Sequence, residues 1–189
     1  AILAIERTFL NYLSRLSGIA TLTSRYVEAV RAASPSCRIL DTRKTTPGHR
    51  SLEKYAVRCG GGHNHRMGLD DGILIKDNHI AAAGTVADAV ERAGASLQAG
   101  GEEQCECDNL DQLREALDAG VGAVLLDNFS AAQAAEAVRL VAGRARVETS
   151  GGINLDTVAD YAAAGVDDIS VGGLTHSAPS VDLSMEMVL

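Results

Sequence analysis

Apolar residues fall at Phe9, Leu10, Leu13, Leu16, Ile19, Leu22, Tyr26, Val27 and Val30. That spacing, near 3.6, predicts a helix over residues 3–33. Pro35 ends it, and Gly18 marks a break or a close packing point within it. Downstream the pattern changes. Short runs that can be buried on both faces, residues 38–41, 72–76, 103–107, 123–127, 145–149 and 168–171, read as strands. Helical patterns lie between them, at residues 52–59, 85–93, 110–119, 131–141 and 155–164. Asn109, Ser130 and Asn154 are candidate N-caps, and Gly94, Gly120, Gly143 and Gly165 follow helix ends.

Six strand-then-helix units in tandem imply an α/β fold with a parallel sheet and right-handed crossovers. Two architectures fit: an incomplete β/α barrel of the TIM type preceded by N-terminal helices, or an open doubly wound sheet. The placement of polar residues favours the barrel. Arg43, Lys76, Glu106, Asp127 and Ser150 sit at or just past strand ends, the face that carries chemistry in such barrels. The G-x-G-x-x-G that a dinucleotide-binding sheet would need after an early strand is absent. Residues 1–37 are expected to be a helical segment and residues 38–189 the barrel. The chain opens on Ala1 and runs at once into a helical pattern, so further residues are expected upstream, and the family resemblance given below implies a preceding domain among them.

Composition narrows the function classes. The 189 residues are 46% apolar, enough for a buried core, and the net charge is −8. That balance argues against nucleic acid as a partner. No apolar run reaches membrane-spanning length, and residues 1–5 are too short for a signal-peptide core. The four cysteines are scattered, with only Cys105-x-Cys107 close together, which fits a reducing, cytoplasmic setting. Cys37 and Cys59 read as small buried apolar residues.

Within this acidic chain, positive charge is concentrated in one stretch. All three lysines (Lys44, Lys54, Lys76) and four of the five histidines (His49, His63, His65, His79) lie between Arg38 and His79. Such a cluster suits a small, multiply anionic ligand. Arg43 and Lys44, with Thr42, Thr45 and Thr46 around them, can hold an oxyanion, or form a solvated loop with weak surface ion pairs. Gly60-Gly61-Gly62 before His63, His65 and Arg66 gives either a ligand-approaching backbone or a flexible linker. Lys76 ends an apolar strand, where an anion would offset the cost of its burial. Glu106 and Asp127 would meet at the barrel mouth, where two carboxylates suit a hydrated Mg²⁺ bridged to phosphate; ion pairing with Arg66 or Lys76 is the plainer alternative. Ser150-Gly151-Gly152 and Gly172-Gly173-Leu174-Thr175 follow the last two strands, where barrels commonly bind phosphate.

The runs Asp41-Thr42-Arg43-Lys44-Thr45-Thr46-Pro47-Gly48, Lys54-Tyr55-Ala56-Val57-Arg58, Asn64-His65-Arg66, Ile75-Lys76-Asp77-Asn78-His79, Leu126-Asp127-Asn128-Phe129, Ser150-Gly151-Gly152 and Leu174-Thr175-His176-Ser177 resemble the quinolinate phosphoribosyltransferase family, in the family's order. The resemblance implies transfer of phosphoribose from phosphoribosyl pyrophosphate to quinolinate, with Mg²⁺, giving nicotinate mononucleotide, pyrophosphate and CO₂. It implies that Arg43, His65, Arg66 and Lys76 hold the quinolinate carboxylates. Thr42 joins the same site, and Lys44 reaches pyrophosphate or a carboxylate. Glu106 and Asp127 meet ribose hydroxyls and metal-linked groups. Ser150, Gly151, Gly152, Gly173, Leu174 and Thr175 hold the 5′-phosphate. It further implies a homodimer or higher homo-oligomer in which Arg7 crosses to a second subunit. The chain departs from the family at the polar, glycine-rich residues 97–102, and at Gln104, where the family often carries an acid. A paralogue with another substrate, or a module that binds phosphoribosyl pyrophosphate without turnover, would use the same cations.

Overall fold

The computed structural model describes residues 2–96 and 102–186. Of the polar run at 97–102, noted above as a departure, residues 97–101 lie outside the described residues and Glu102 opens a strand. Helix α1 (Ile2–Ala33) is one continuous helix where the sequence suggested a break at Gly18. The close-packing reading of Gly18 is the one the structure supports. A Cβ there would lie 1.9 Å from the Pro179 carbonyl oxygen, because the C-terminal segment crosses α1 at this point. Val181 N donates to Ser14 O beside it. Ile19, Tyr26, Val27 and Val30 join the main core, so α1 is packed into the barrel rather than standing apart from it.

Six strands follow, β1 (Arg38–Leu40), β2 (Gly72–Ile75), β3 (Glu102–Cys107), β4 (Ala123–Asp127), β5 (Arg146–Ser150) and β6 (Asp168–Ser170), each within one or two residues of its expected bounds. All pair in parallel, in the order β1-β6-β5-β4-β3-β2. The sheet is not closed: β1 and β2 form its two edges. The segment after the glycine triplet lies along β1, where His63 bridges Leu40 in parallel and His63 N donates to Ile39 O. This is the incomplete barrel expected.

The helices are α2 (Arg50–Cys59), α3 (Asp77–Ala83), α4 (Val86–Ser96), α5 (Leu110–Asp118), α6 (Ala131–Val141), α7 (Val158–Ala163) and α8 (Gly173–His176). The short α3 and α8 went unseen in the sequence, being too short to show a period. Asn109 caps α5 through its side chain, and Ser130 forms a capping box with Gln133 on α6. Asn154 instead closes a turn onto Asp156 and Thr157, one turn ahead of α7. Gly94 lies inside α4, whereas Gly120, Gly143 and Gly165 adopt positive φ after helix ends.

Side-chain alternation along the strands separates two environments. Outward positions such as Cys105, Cys107, Val124, Leu126, Val147 and Ile169 pack against the helices as the hydrophobic core. Inward positions are largely polar and stack in levels up the barrel: Arg146, Glu148 and Ser150 on β5, Glu102, Gln104 and Glu106 on β3, Asp168 and Ser170 on β6. Cys37 is buried as expected; Cys59 is exposed at the end of α2. Among the described residues no helix is long and apolar enough to cross a membrane.

Candidate active site

The C-terminal ends of the strands surround a cleft of about 610 Å³. Its lining brings together Thr42, Arg43, Lys44, His65, Arg66, Lys76, Glu106, Asp127, Ser150, Gly151, Gly152 and Gly173 from the expected set. Leu174 and Thr175 are not at its surface. Leu174 is fully buried in the core, and the Thr175 hydroxyl donates to Lys44 O at 2.8 Å. Both belong to a helix that supports the cation loop from below. Arg7 lies on the exposed first turns of α1, outside the cleft.

The loop carrying Arg43 and Lys44 is anchored on three sides. Glu53, fully buried, accepts Thr46 N at 3.0 Å and the Thr46 hydroxyl at 2.8 Å. Its carboxylate also takes an ion pair from Arg15 of α1 at 3.0 Å. Arg50 donates to the Thr45 hydroxyl and to Arg43 O. Thr45 and Thr46 are thus engaged by α2, and of the three threonines only Thr42 lines the cleft. Lys54 is also structural. It is buried, paired with Asp41, and donates to His65 O at 2.8 Å. Asp41 in turn accepts Asn64 Nδ2 at 2.5 Å and His65 N at 2.9 Å, fixing the segment that presents His65 and Arg66.

The cleft cations are held with bonding capacity to spare. Nε of Arg43 and Nε of Arg66 are buried and find no hydrogen-bond partner among the described residues. Burial, and then the nearby Arg43 charge, depress the proton affinity of Arg66. Two close, incompletely partnered guanidinium groups favour an anion between them. Lys76 Nζ pairs with Glu106 Oε2 at 2.5 Å between the ends of the adjacent strands β2 and β3, the plainer alternative raised for that carboxylate. Asp127 accepts the Ser150 hydroxyl at 2.7 Å and Asn128 Nδ2 at 2.8 Å. Asn128 sits at φ 57°, and Gly151, at φ 98°, packs against it so tightly that a Cβ would fall 2.2 Å from Asn128 Oδ1.

Gly172, from the expected glycine loop, also lines the cleft, together with four polar residues given no role from the sequence: Asn128, Glu148, Ser170 and His176. Glu148 and Ser170 share the alternation that places Ser150 at the mouth, and that register was the available signal. Gln104, one level below Glu106, is buried and donates to Glu148 Oε2 at 2.8 Å. Its amide serves the barrel interior instead of replacing an acid at the mouth.

Residues 19–186 match the family described as quinolinate phosphoribosyl transferase, C-terminal domain. The chain belongs to this family. It is 46% identical over its whole length to the probable nicotinate-nucleotide pyrophosphorylase (carboxylating) of Bacillus subtilis, covering 65% of that protein. It is 47% identical over 98% of its length to the nicotinate-nucleotide pyrophosphorylase (carboxylating) of Mycobacterium leprae, covering 66% of it. Among solved structures, NadC from Streptococcus pyogenes superposes with a TM-score of 0.92 at 46% identity, over 98% of this chain and 65% of that one. The chain therefore spans about two thirds of the length of these relatives.

Proposed function

We propose that the chain carries the catalytic barrel of an enzyme that joins quinolinate to phosphoribosyl pyrophosphate. One observation carries this reading: a single cleft combines a wall of incompletely partnered cations, two carboxylates and a glycine loop after a late strand. The cations Arg43, His65, Arg66 and Lys76 match a ring bearing two carboxylates. Lys44 matches pyrophosphate, and the Ser150–Gly152 and Gly172–Gly173 backbones match the 5′-phosphate.

Holding two anions against one another is itself a large part of the catalysis. The ring nitrogen of quinolinate attacks the anomeric carbon as the bond to pyrophosphate breaks. Positive charge grows on the ribose, next to Glu106 and Asp127, which stabilise it. The ring, now cationic, accepts the electron pair of the C2–carboxylate bond; CO₂ leaves and C2 takes a proton, giving nicotinate mononucleotide. Glu106 and Asp127 are hard oxygen donors that fit Mg²⁺. No cluster of three metal-ligating side chains occurs among the described residues, so phosphate oxygens and water would complete the coordination. The metal would supply charge neutralisation for departing pyrophosphate.

We assign the protein to the cytoplasm, a setting that its four unpaired cysteines support. We also infer a homodimer. Ile5, Phe9, Tyr12 and Leu13 are exposed on α1 near Arg7, an apolar stripe at helical spacing that a second subunit would cover.

The test is incubation with phosphoribosyl pyrophosphate, Mg²⁺ and either quinolinate or nicotinate, with products separated by chromatography. Nicotinate mononucleotide from quinolinate alone is expected, falling to background when the metal is chelated. Absence of product from folded protein, with phosphoribosyl pyrophosphate still bound in calorimetry, would replace the enzyme with a binding module.

A further inference from the structure

Below the mouth, the barrel interior holds a carboxylate that the proposed chemistry leaves unused. Glu148 projects inward from β5 and is 1% exposed, yet it lines the floor of the cleft. Three elements donate to it. The Ser170 hydroxyl of β6 reaches Oε1 at 2.5 Å, the Gln104 amide of β3 reaches Oε2 at 2.8 Å, and His65 Nε2 lies 3.4 Å from Oε1. Leaving a carboxylate buried is costly unless its oxygens find partners, and here both do. Of these donors only His65 belongs to the cation wall. Its other nitrogen, Nδ1, accepts Arg66 N–H at 2.9 Å, which directs the ring proton to Nε2 and towards Glu148.

We propose that Glu148 is a positioning residue: it fixes the ring orientation and proton placement of His65, and through His65 sets the affinity of the cleft for an aromatic dicarboxylate. This deepens the function proposed above and rests on it. Glu148 does not itself hold the substrate carboxylates, since like charges repel; it acts through His65.

The electrostatics agree with this geometry. Around His65 stand Glu148 from β5, Lys54 from α2, Arg66 from its own segment, and Asp41 after β1, whose carboxylate accepts the His65 N–H. Burial, Lys54 and Arg66 all disfavour the imidazolium, but the hydrogen bond and charge of Glu148 outweigh them and raise the His65 pKa above its usual 6.5. The Arg66 N–H donated to Nδ1 favours the neutral ring with its proton on Nε2. Burial likewise works to raise the pKa of Glu148, but His65, Ser170 and Gln104 together hold it below the usual range.

The first test needs no variant. Nitrogen-detected NMR of the protein's histidines across pH should show His65 with its proton on Nε2 when neutral and a titration midpoint above that of a model histidine peptide. A midpoint at or below the peptide's would overturn the proposal whether or not turnover is seen. The second test is Glu148→Gln, which keeps the shape of the side chain. We expect the His65 midpoint to fall and the KM for quinolinate to rise roughly tenfold, the loss of one hydrogen bond to a charged group. The KM for phosphoribosyl pyrophosphate should stay unchanged, and Glu148→Gln should add nothing in a His65→Asn background. A lower KM for quinolinate would mean that Glu148 repels the substrate, and equal rises for both substrates would mean a general structural role; either overturns the proposal. If wild-type protein makes no product while the NMR result holds, the catalytic reading fails and the Glu148–His65 relation stands.

Discussion

The cations that look alike in the sequence divide into two groups in the fold. Lys54, Arg38 and Arg15 are structural. Lys54 is enclosed by Asp41 and the His65 carbonyl, Arg38 forks onto Asp168 at 2.6 and 2.7 Å, and Arg15 joins Glu53 to the Ala178 carbonyl. Arg43, Arg66 and Lys76 line the mouth with donors unfilled or held by one partner. Even Arg146, whose Nε is also unpaired, spends its other two nitrogens on Glu102 and Asp168. A cation that the fold has already neutralised serves stability, and one left incompletely paired in a cleft serves a ligand.

Exchanging the two groups by mutation should break the comparison if it is wrong. Lys54→Met leaves Asp41 buried and unpaired, and should cost about 3–5 kcal/mol in chemical denaturation. Arg66→Ala should instead leave the melting temperature unchanged while kcat/KM falls about 10²–10³-fold, the loss expected when a buried charged contact to a ligand is removed. A destabilised Arg66→Ala protein with normal turnover would place Arg66 with the structural group. The glycine loop gives a finer contrast. Gly151→Ala meets Asn128 as well as positive φ, whereas Gly152→Ala, at φ 63°, has open space around it. Gly151→Ala should weaken phosphoribosyl pyrophosphate binding in calorimetry, and Gly152→Ala should cost only about 1–3 kcal/mol of backbone strain in stability.

The smallest effect concerns pH. The folded pKa of Glu148 is depressed, so its contribution is present above its usual 4.5 and is lost as pH falls through the lower folded value. The folded pKa of His65 is raised, so its contribution is complete below its usual 6.5 and is lost as pH rises through the higher folded value. The pair therefore stabilises most between those two usual values. Melting temperatures of wild type should peak there relative to Glu148→Gln, and parallel curves for the two proteins would deny the coupling.

Much of the mouth was legible because its residues end strands or follow them, and strand ends can be read from hydrophobic runs. Arg43, Lys76, Glu106, Asp127 and Ser150 were found this way. The barrel interior was not. Glu148 and Ser170 lie on strands that carry other polar residues, Arg146, Thr149 and Asp168 among them, and only the folded strands show that these two side chains meet. The same limit hid the fates of Thr45, Thr46 and Lys54. Their partners, Arg50, Glu53 and Asp41, are near in sequence but reach them through a loop path that no periodicity encodes. Gly18 was legible as special, but the reason for it, the C-terminal segment passing 161 residues later at Pro179, was not.

The pairing of β1 with β6 has a consequence for the order in which the site can come into being. Arg38 and Asp168 are 130 residues apart, yet they join the edge strand that precedes the cation loop to the body of the sheet. During synthesis on a ribosome, Arg43 and Lys44 emerge early but have no wall to complete until β6 and α8 have followed. The cation loop, made before the other segments of this cleft, is thus among the last of them to be seated, and ligand affinity waits on the pairing of β1 with β6.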